Sequence, residues 1–261
     1  MNSSEILVTG GTGILGGKVV KRLGSEGIEP RALSRGDHPS TIRGDLLTGE
    51  GLEAAVRGVG TIVHCASSPY RKARQTDVGG TERLLQIASK AGVSHVVYIS
   101  IVGIDRAQSY PYYRVKLETE RLVEGSPIPH TILRATQFYE LVFMAVRALA
   151  RLPVVPVPKG LLGQPIDSGE VADRMVELAL SEPAGRVEDV GGPEVMLVDD
   201  AVRTYLEVTR MRKKVLGFLL PGKTARAMRS GALTCPENRY GEFRWEEFLR
   251  EALHDSPGAY R

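Results

Sequence analysis

Apolar and polar positions along the chain alternate between two rhythms. Short runs such as Ile6, Leu7 and Val8 stop at turn residues, and the stretch after them carries helical spacing at Ile14, Leu15, Val19, Val20 and Leu23. The pattern predicts a strand, a glycine turn and a helix, then strands at residues 30–34 and near Ile42, a short helix at 52–56 and a continuous apolar strand at 61–66. A long helix over 76–91, a strand at 95–101 buried on both faces, a helix over 112–124 and a strand at 131–133 follow. Strands alternating with helices of this length pair in parallel through right-handed crossovers, which gives an α/β fold with a Rossmann-type doubly wound parallel sheet.

After Phe138 the rhythm changes. An amphipathic helix reaches Leu152, a proline-rich stretch runs to Pro165, helices are expected near 171–180, 198–209 and 245–253, and Gly191 to Pro193 punctuate the chain. Residues 1–137 are therefore assigned to one Rossmann-type domain. Residues 138–261 are assigned to a small C-terminal substrate-side lobe that can return elements to the main sheet. The Phe138, Leu141, Val142, Ala145 and Leu149 stripe serves either as core or as pocket lining.

Composition changes this picture little. With 42% hydrophobic and 25% charged residues in 261 positions, the chain has an ordinary globular make-up. A formal net charge of +3 is too mild to call for nucleic acid, and the basic run Arg210, Met211, Arg212, Lys213, Lys214 reads as a solvated helix end. The apolar segment 138–157 is broken by Glu140, Arg147, Arg151, Pro153 and Pro156, so no membrane span or membrane partner is expected. The N-terminus enters a strand without a basic region or cleavage site, which points to the cytoplasm. Two cysteines, Cys65 and Cys235, give no disulfide framework, and Cys65 is expected to be buried in an apolar strand. No metal site is expected, and the chain is taken as a monomer or homodimer.

The candidate chemistry begins at Thr9-Gly10-Gly11-Thr12-Gly13-Ile14-Leu15-Gly16, between the first strand and the first helix. Glycine permits positive φ at such a turn, its missing side chain lets a pyrophosphate approach the backbone, and the helix start offers free N–H groups. A phosphate-binding loop of the other common kind is excluded, because Thr12 stands where that loop needs glycine before Gly17-Lys18. At the end of the second strand, Ser34 and Arg35 offer a hydroxyl and a charged fork for a 2′-phosphate, so NADP is preferred; Asp37 keeps NAD open.

Tyr112 and Lys116 lie four apart on a predicted helix and face one side, with Tyr113 turned away. A lysine ammonium near the phenol would bring its pKa down from about 10 toward neutrality, suiting Tyr112 as proton donor, with Ser100 bonding the same oxygen. Tyr112 as a merely packed aromatic is the alternative.

The motifs TGGTGILG, LSRG, GDL, DVGGTERLLQIASKAGVSHVVYIS and PYYRVKLETE, extended by HTILRATQFYE at 130–140, resemble the atypical short-chain dehydrogenase/reductases, particularly the NmrA-like group with its quinone and triphenylmethane reductases. The resemblance implies that Gly10, Gly13 and Gly16 hold a pyrophosphate within the turn that also contains Thr12, Ile14 and Leu15. It implies further that Arg35 meets the adenosine phosphate, Asp45 and Leu46 flank the adenine, Cys65, Ala66 and Ser67 line a ribose, and Lys116 holds the nicotinamide ribose. Gln137, Phe138 and Tyr139 would open a substrate pocket. The implied function is NADPH-dependent hydride transfer to a small apolar or aromatic carbonyl or quinone-like acceptor. A non-catalytic NADP-binding redox sensor of NmrA type is the alternative. A nucleotide-sugar epimerase-like enzyme ranks third, because the chain is short for a sugar-binding lobe.

Overall fold

The computed structural model describes residues 5–36, 38–69 and 72–254. The chain divides into two compact units, the first comprising residues up to 100, 110–134 and 169–188, the second 101–109, 135–168 and 189 onward.

In the first unit, strands β1 (Glu5–Thr9), β2 (Arg31–Ser34), β3 (Thr41–Arg43), β4 (Val59–His64), β5 (His95–Ile101), β6 (His130–Ala135) and β9 (Gly185–Arg186) form one sheet in the order β3-β2-β1-β4-β5-β6-β9. The pairs β1–β2, β2–β3, β1–β4, β4–β5 and β6–β9 are parallel. Order along the sheet reverses between β1 and β4, so the crevice beyond their carboxyl ends is where this topology receives ligands. Helices α2 (Leu52–Val56), α3 (Gly80–Lys90) and α4 (Pro111–Glu124) supply Leu52, Ala55, Leu84, Leu85, Ala88 and Val123 to a core with Leu7, Ile62, Val96 and Ile132. Burying each such side chain contributes roughly 1.5–3 kcal/mol before its ordering entropy. On the other helices, α1 (Ile14–Ser25) and α6 (Ser168–Ala179), Arg22 pairs with Asp173 at 2.7 Å. Each predicted strand of this unit is present, and β9, which adds to the far edge, was missed because it is two residues long.

Arg134 on β6 donates from Nε and Nη2 to the two carboxylate oxygens of Glu120 on α4, at 2.7 and 2.5 Å, with both side chains 3% exposed. A buried bidentate pair is costly to break from one side, so it fixes how α4 lies on the sheet.

The second unit is built from α5 (Tyr139–Ala150), β7 (Val154–Pro158), β8 (Leu162–Gly163), β10 (Met196–Leu197), α7 (Val198–Val208), β11 (Lys214–Phe218), α8 (Lys223–Arg229) and α9 (Trp245–His254). Its core gathers Tyr139, Phe143, Val146 and Ala150 with Val155, Val157, Tyr205 and Trp245. The buried face of α5 is thus set one residue off the expected stripe, and Leu141 is 45% exposed. Two small sheets were not foreseen, a parallel pair β7–β11 and an antiparallel pair β8–β10. Lys214 begins β11, so the basic run leads from a turn into a strand and does not end a helix.

Candidate functional site

The turn after β1 is drawn tightly against its neighbours. Gly10 has φ +67°, and a Cβ built there would stand 2.9 Å from the backbone N and Cα of Ala66. A Cβ at Gly16 would lie 2.2 Å from the Gly10 carbonyl oxygen, so α1 can pack on the turn only if this position lacks a side chain. Gly13 caps α1 in an extended conformation, with no side chain bonding the helix start. Its Cβ would meet only the Gly10 carbonyl oxygen, at 3.2 Å. The first-turn amides that follow have no partner within the helix, and their dipole end favours an anion. This backbone cradle fits the diphosphate of a dinucleotide, with Gly10, Gly13, Ile14, Leu15 and Gly16 supplying backbone. The Leu15 side chain is itself buried in the packing of α1.

The neighbouring loops converge on the same edge. Thr12 Oγ1 and Ser34 Oγ lie 3.2 Å apart, and Gly36 N–H donates to Ser34 Oγ. Arg35 is exposed and has no ion-pair partner among the described residues. Asp37 lies outside the described residues. Beyond β3, Asp45 Oδ1 accepts the Leu47 N–H at 2.8 Å, and Leu46 is buried, with its carbonyl accepting from Arg83 at 2.6 Å. β4 stops at His64, so Cys65 stands just past the strand and is half-buried, where a fully buried strand position was expected. Burial pushes its thiol up to about 12.

Beyond the ends of β4 and β5, Ser67, Asp77 and Tyr112 are joined by hydrogen bonds, while Lys116 reaches back to the backbone of β5 at the position before Ser100. Ser67 Oγ donates to Asp77 Oδ2 at 2.8 Å, Ser68 N–H donates to Oδ1 at 2.8 Å, and the Tyr112 hydroxyl meets Ser67 Oγ and donates to Asp77 Oδ2 at 3.3 Å. Lys116 is 3% exposed; its ammonium donates to the Ile99 carbonyl at 2.8 Å and lies 4.2 Å from the centre of the Tyr98 ring. Burial lowers its pKa to about 8 against the pull of Asp77 and Glu120. Ser100 is 3% exposed, and among the described residues nothing bonds its Oγ.

One expectation is corrected here. Burial and then the Asp77 carboxylate raise the Tyr112 phenol above its ordinary value, although the Ser67 bond opposes them. Lys116 is engaged with Ile99 and Tyr98, so it does not bring the phenol toward neutrality.

Beneath these groups runs a buried polar string that the sequence did not single out. Thr9 Oγ1 lies 2.6 Å from His64 Nδ1, and His64 Nε2 lies 2.8 Å from Thr81 Oγ1. Burial, with Lys116 adding to it, lowers His64 to about 3, so the ring stays neutral and ties β1, β4 and α3 together. Asp77 sits on a π-helical turn, Arg74–Gly79, that precedes α3. Such bulges accompany functional sites, but a lone aspartate inside a helical pattern carries no signal of its own.

The residues expected at a substrate pocket lie in the second unit and separate there. Tyr139 is fully buried against Trp245 and Phe248, and its hydroxyl donates to the Phe243 carbonyl at 2.8 Å, so it is a core residue. Phe138 is half-buried at the start of α5. Gln137 Nε2 is buried without a hydrogen-bond partner among the described residues.

A doubly wound sheet with a glycine cradle at its switch point defines a dinucleotide-binding Rossmann protein. Comparison with known proteins agrees. A family model described as NAD(P)H-binding matches residues 10–182, and the chain belongs to that family, in keeping with its resemblance to the atypical short-chain dehydrogenase/reductases. It is 24% identical to the photosystem II assembly factor Ycf39 of Trieres chinensis, over 81% of this chain and 71% of that protein. It is 28% identical to the (4-alkanoyl-5-oxo-2,5-dihydrofuran-3-yl)methyl phosphate reductase of Streptomyces griseus, over 81% and 74%. Two further relatives are matched over 38% and 46% of their own length. Among solved structures, MoeE5 in complex with UDP-glucose and NAD superposes with a TM-score of 0.78 at 20% identity, over 97% of this chain and 100% of that one. Length therefore does not set this chain apart from proteins that hold a sugar nucleotide, contrary to the expectation above. Among the described residues no helix is long and apolar enough to cross a membrane.

Proposed function

We propose that the chain is an NADPH-dependent oxidoreductase that reduces a small apolar or aromatic carbonyl or quinone-like acceptor. The observation that carries this reading is the shielded Ser100 hydroxyl, left without a partner among the described residues, one position beyond the carbonyl that holds Lys116. Leaving a buried hydroxyl unpaired costs on the order of 1–3 kcal/mol, a cost that a bound oxygen would remove.

The cradle at residues 10–16 would hold the diphosphate, and the Arg35 fork would favour a 2′-phosphate over a bare ribose. Bound there, the reduced nicotinamide supplies hydride. The chain's own groups do the rest: Ser100 holds the acceptor oxygen, Tyr112 gives it a proton, and Lys116 orients a ribose hydroxyl. Because its phenol is held above the ordinary value, Tyr112 stays protonated throughout the neutral range. A Streptomyces relative that bears the name of a reductase supports the reading.

A second reading, a redox-sensing module that binds NADP without turnover, is favoured by the Tyr112–Asp77 bond, which occupies the proton the chemistry needs, and by relatives named as assembly factors. Stopped-flow absorbance of NADPH against a panel of quinones and ketones separates the two. Oxidation of NADPH that falls about a hundredfold in Tyr112→Phe supports the reductase. Tight binding with no oxidation across the panel overturns it.

A further inference from the structure

We infer that the outer face of the β7–β11 pair docks the second unit onto an anionic lipid surface. The inner face of this pair is ordinary, with Val155 and Val157 fully buried in the core and Val215 packed against them. The outer face is not. Register places Val154, Pro156 and Pro158 of β7 beside Lys214, Leu216 and Phe218 of β11, and on that side Val154, Leu216 and Phe218 are 40%, 56% and 42% exposed. A two-stranded sheet with one face in the core normally turns polar residues to water on the other. Here the apolar face continues directly into Leu219 and Leu220, which are 76% and 39% exposed. A contiguous exposed apolar patch of this kind marks an interaction site.

The charge around it identifies the occupant. Residues 208–236 carry seven of the chain's 34 Lys and Arg and none of its 31 Asp and Glu. Arg210, Arg212 and Lys214 precede the exposed leucines and are themselves exposed, while Lys213 reaches back to the Leu152 carbonyl at 3.1 Å. Beyond the leucines, Lys223 and Arg226 of α8 join Arg106 around a cavity of about 350 Å³ that no carboxylate lines. A second copy of the chain would bring these cations against their own equivalents in a two-fold contact, which repels. Nucleic acid would call for stacking aromatics and polar base contacts, and this face offers a single phenylalanine. Apolar side chains at the centre of a basic rim match the boundary between acyl chains and anionic headgroups. The leucines enter the headgroup layer while the cations, with the α8 cavity, meet lipid phosphates.

Co-sedimentation of the 261-residue chain with phosphatidylcholine vesicles, with and without phosphatidylglycerol, tests this. Binding is expected only to the phosphatidylglycerol vesicles, to weaken with added salt, and to fall at least about tenfold in Leu219→Ser/Leu220→Ser and in Lys213→Glu/Lys214→Glu. Unchanged thermal unfolding shows that a variant is folded, and the two variants alter different chemistry, so loss of one fold leaves the other to decide. No binding, equal binding to neutral vesicles, or binding untouched by both variants overturns the inference. So does self-association that the leucine variant disperses, or capture of a DNA duplex in preference to vesicles.

Discussion

The Tyr112 hydroxyl donates to Asp77 Oδ2 across 3.3 Å, so the phenol that sequence spacing pairs with Lys116 faces a carboxylate. Asp77 raises the phenol both by its charge and by accepting that bond. In Asp77→Asn the Tyr112 pKa should therefore fall, and the alkaline limb of any pH–rate profile should move to lower pH. The chain holds nine tyrosines, so the shift is read as the difference between ultraviolet titrations of Asp77→Asn with and without Tyr112→Phe. A phenol that titrates identically in Asp77→Asn and the parent would contradict the assignment.

Lys116 makes stability depend on pH in a definite direction. Its folded pKa, about 8, lies below the ordinary 10.5, so between these values the unfolded chain binds a proton that the folded chain does not. Stability contributed by this group is complete above pH 10.5 and is lost as pH falls through the window, by at most ~1.4 kcal/mol per pH unit. Lys116→Met should flatten that slope. Urea denaturation across the window checks it, and equal slopes in the two proteins would count against a buried ammonium.

Gly16 and Gly13 should fail in different ways. A Cβ at Gly16 would sit 2.2 Å from the Gly10 carbonyl oxygen, which is backbone and cannot yield cheaply. Gly16→Ala should cost ~2–4 kcal/mol of folding stability. At Gly13 the nearest atom is 3.2 Å away, and Gly13→Val should lose only ~1 kcal/mol through the helix cap. Thermal melts of the two variants give the comparison, and a Gly13→Val loss as large as that of Gly16→Ala would refute the assigned roles.

Much of the first unit was legible because its strands are continuous apolar runs such as Val96, Val97, Tyr98 and Ile99, which only a sheet covered on both faces can bury. The cradle was legible because turn, strand and helix agreed. The second unit was harder to read. β7 contains Pro156 and Pro158, which read as punctuation, yet in the two-stranded β11-β7 sheet β7 is an edge strand, and an edge strand tolerates residues without an N–H on its unpaired side. The α5 stripe slipped by one residue because Leu141 and Ala145 look apolar in sequence while Tyr139 and Phe143 fill the core. Asp77, His64 and Thr81 were invisible because their roles arise from burial and from bonds across 10 to 55 positions of the chain, which no local pattern encodes.

Titration calorimetry with NADPH and NADH tests the central claim, that the residue 10–16 cradle and Arg35 together receive a phosphorylated dinucleotide. The parent chain should bind NADPH more tightly than NADH, Arg35→Ala should erase about tenfold of that preference, and Gly13→Val should abolish measurable binding of both. Equal affinity for the two nucleotides in the parent, or binding that survives Gly13→Val unchanged, would contradict it.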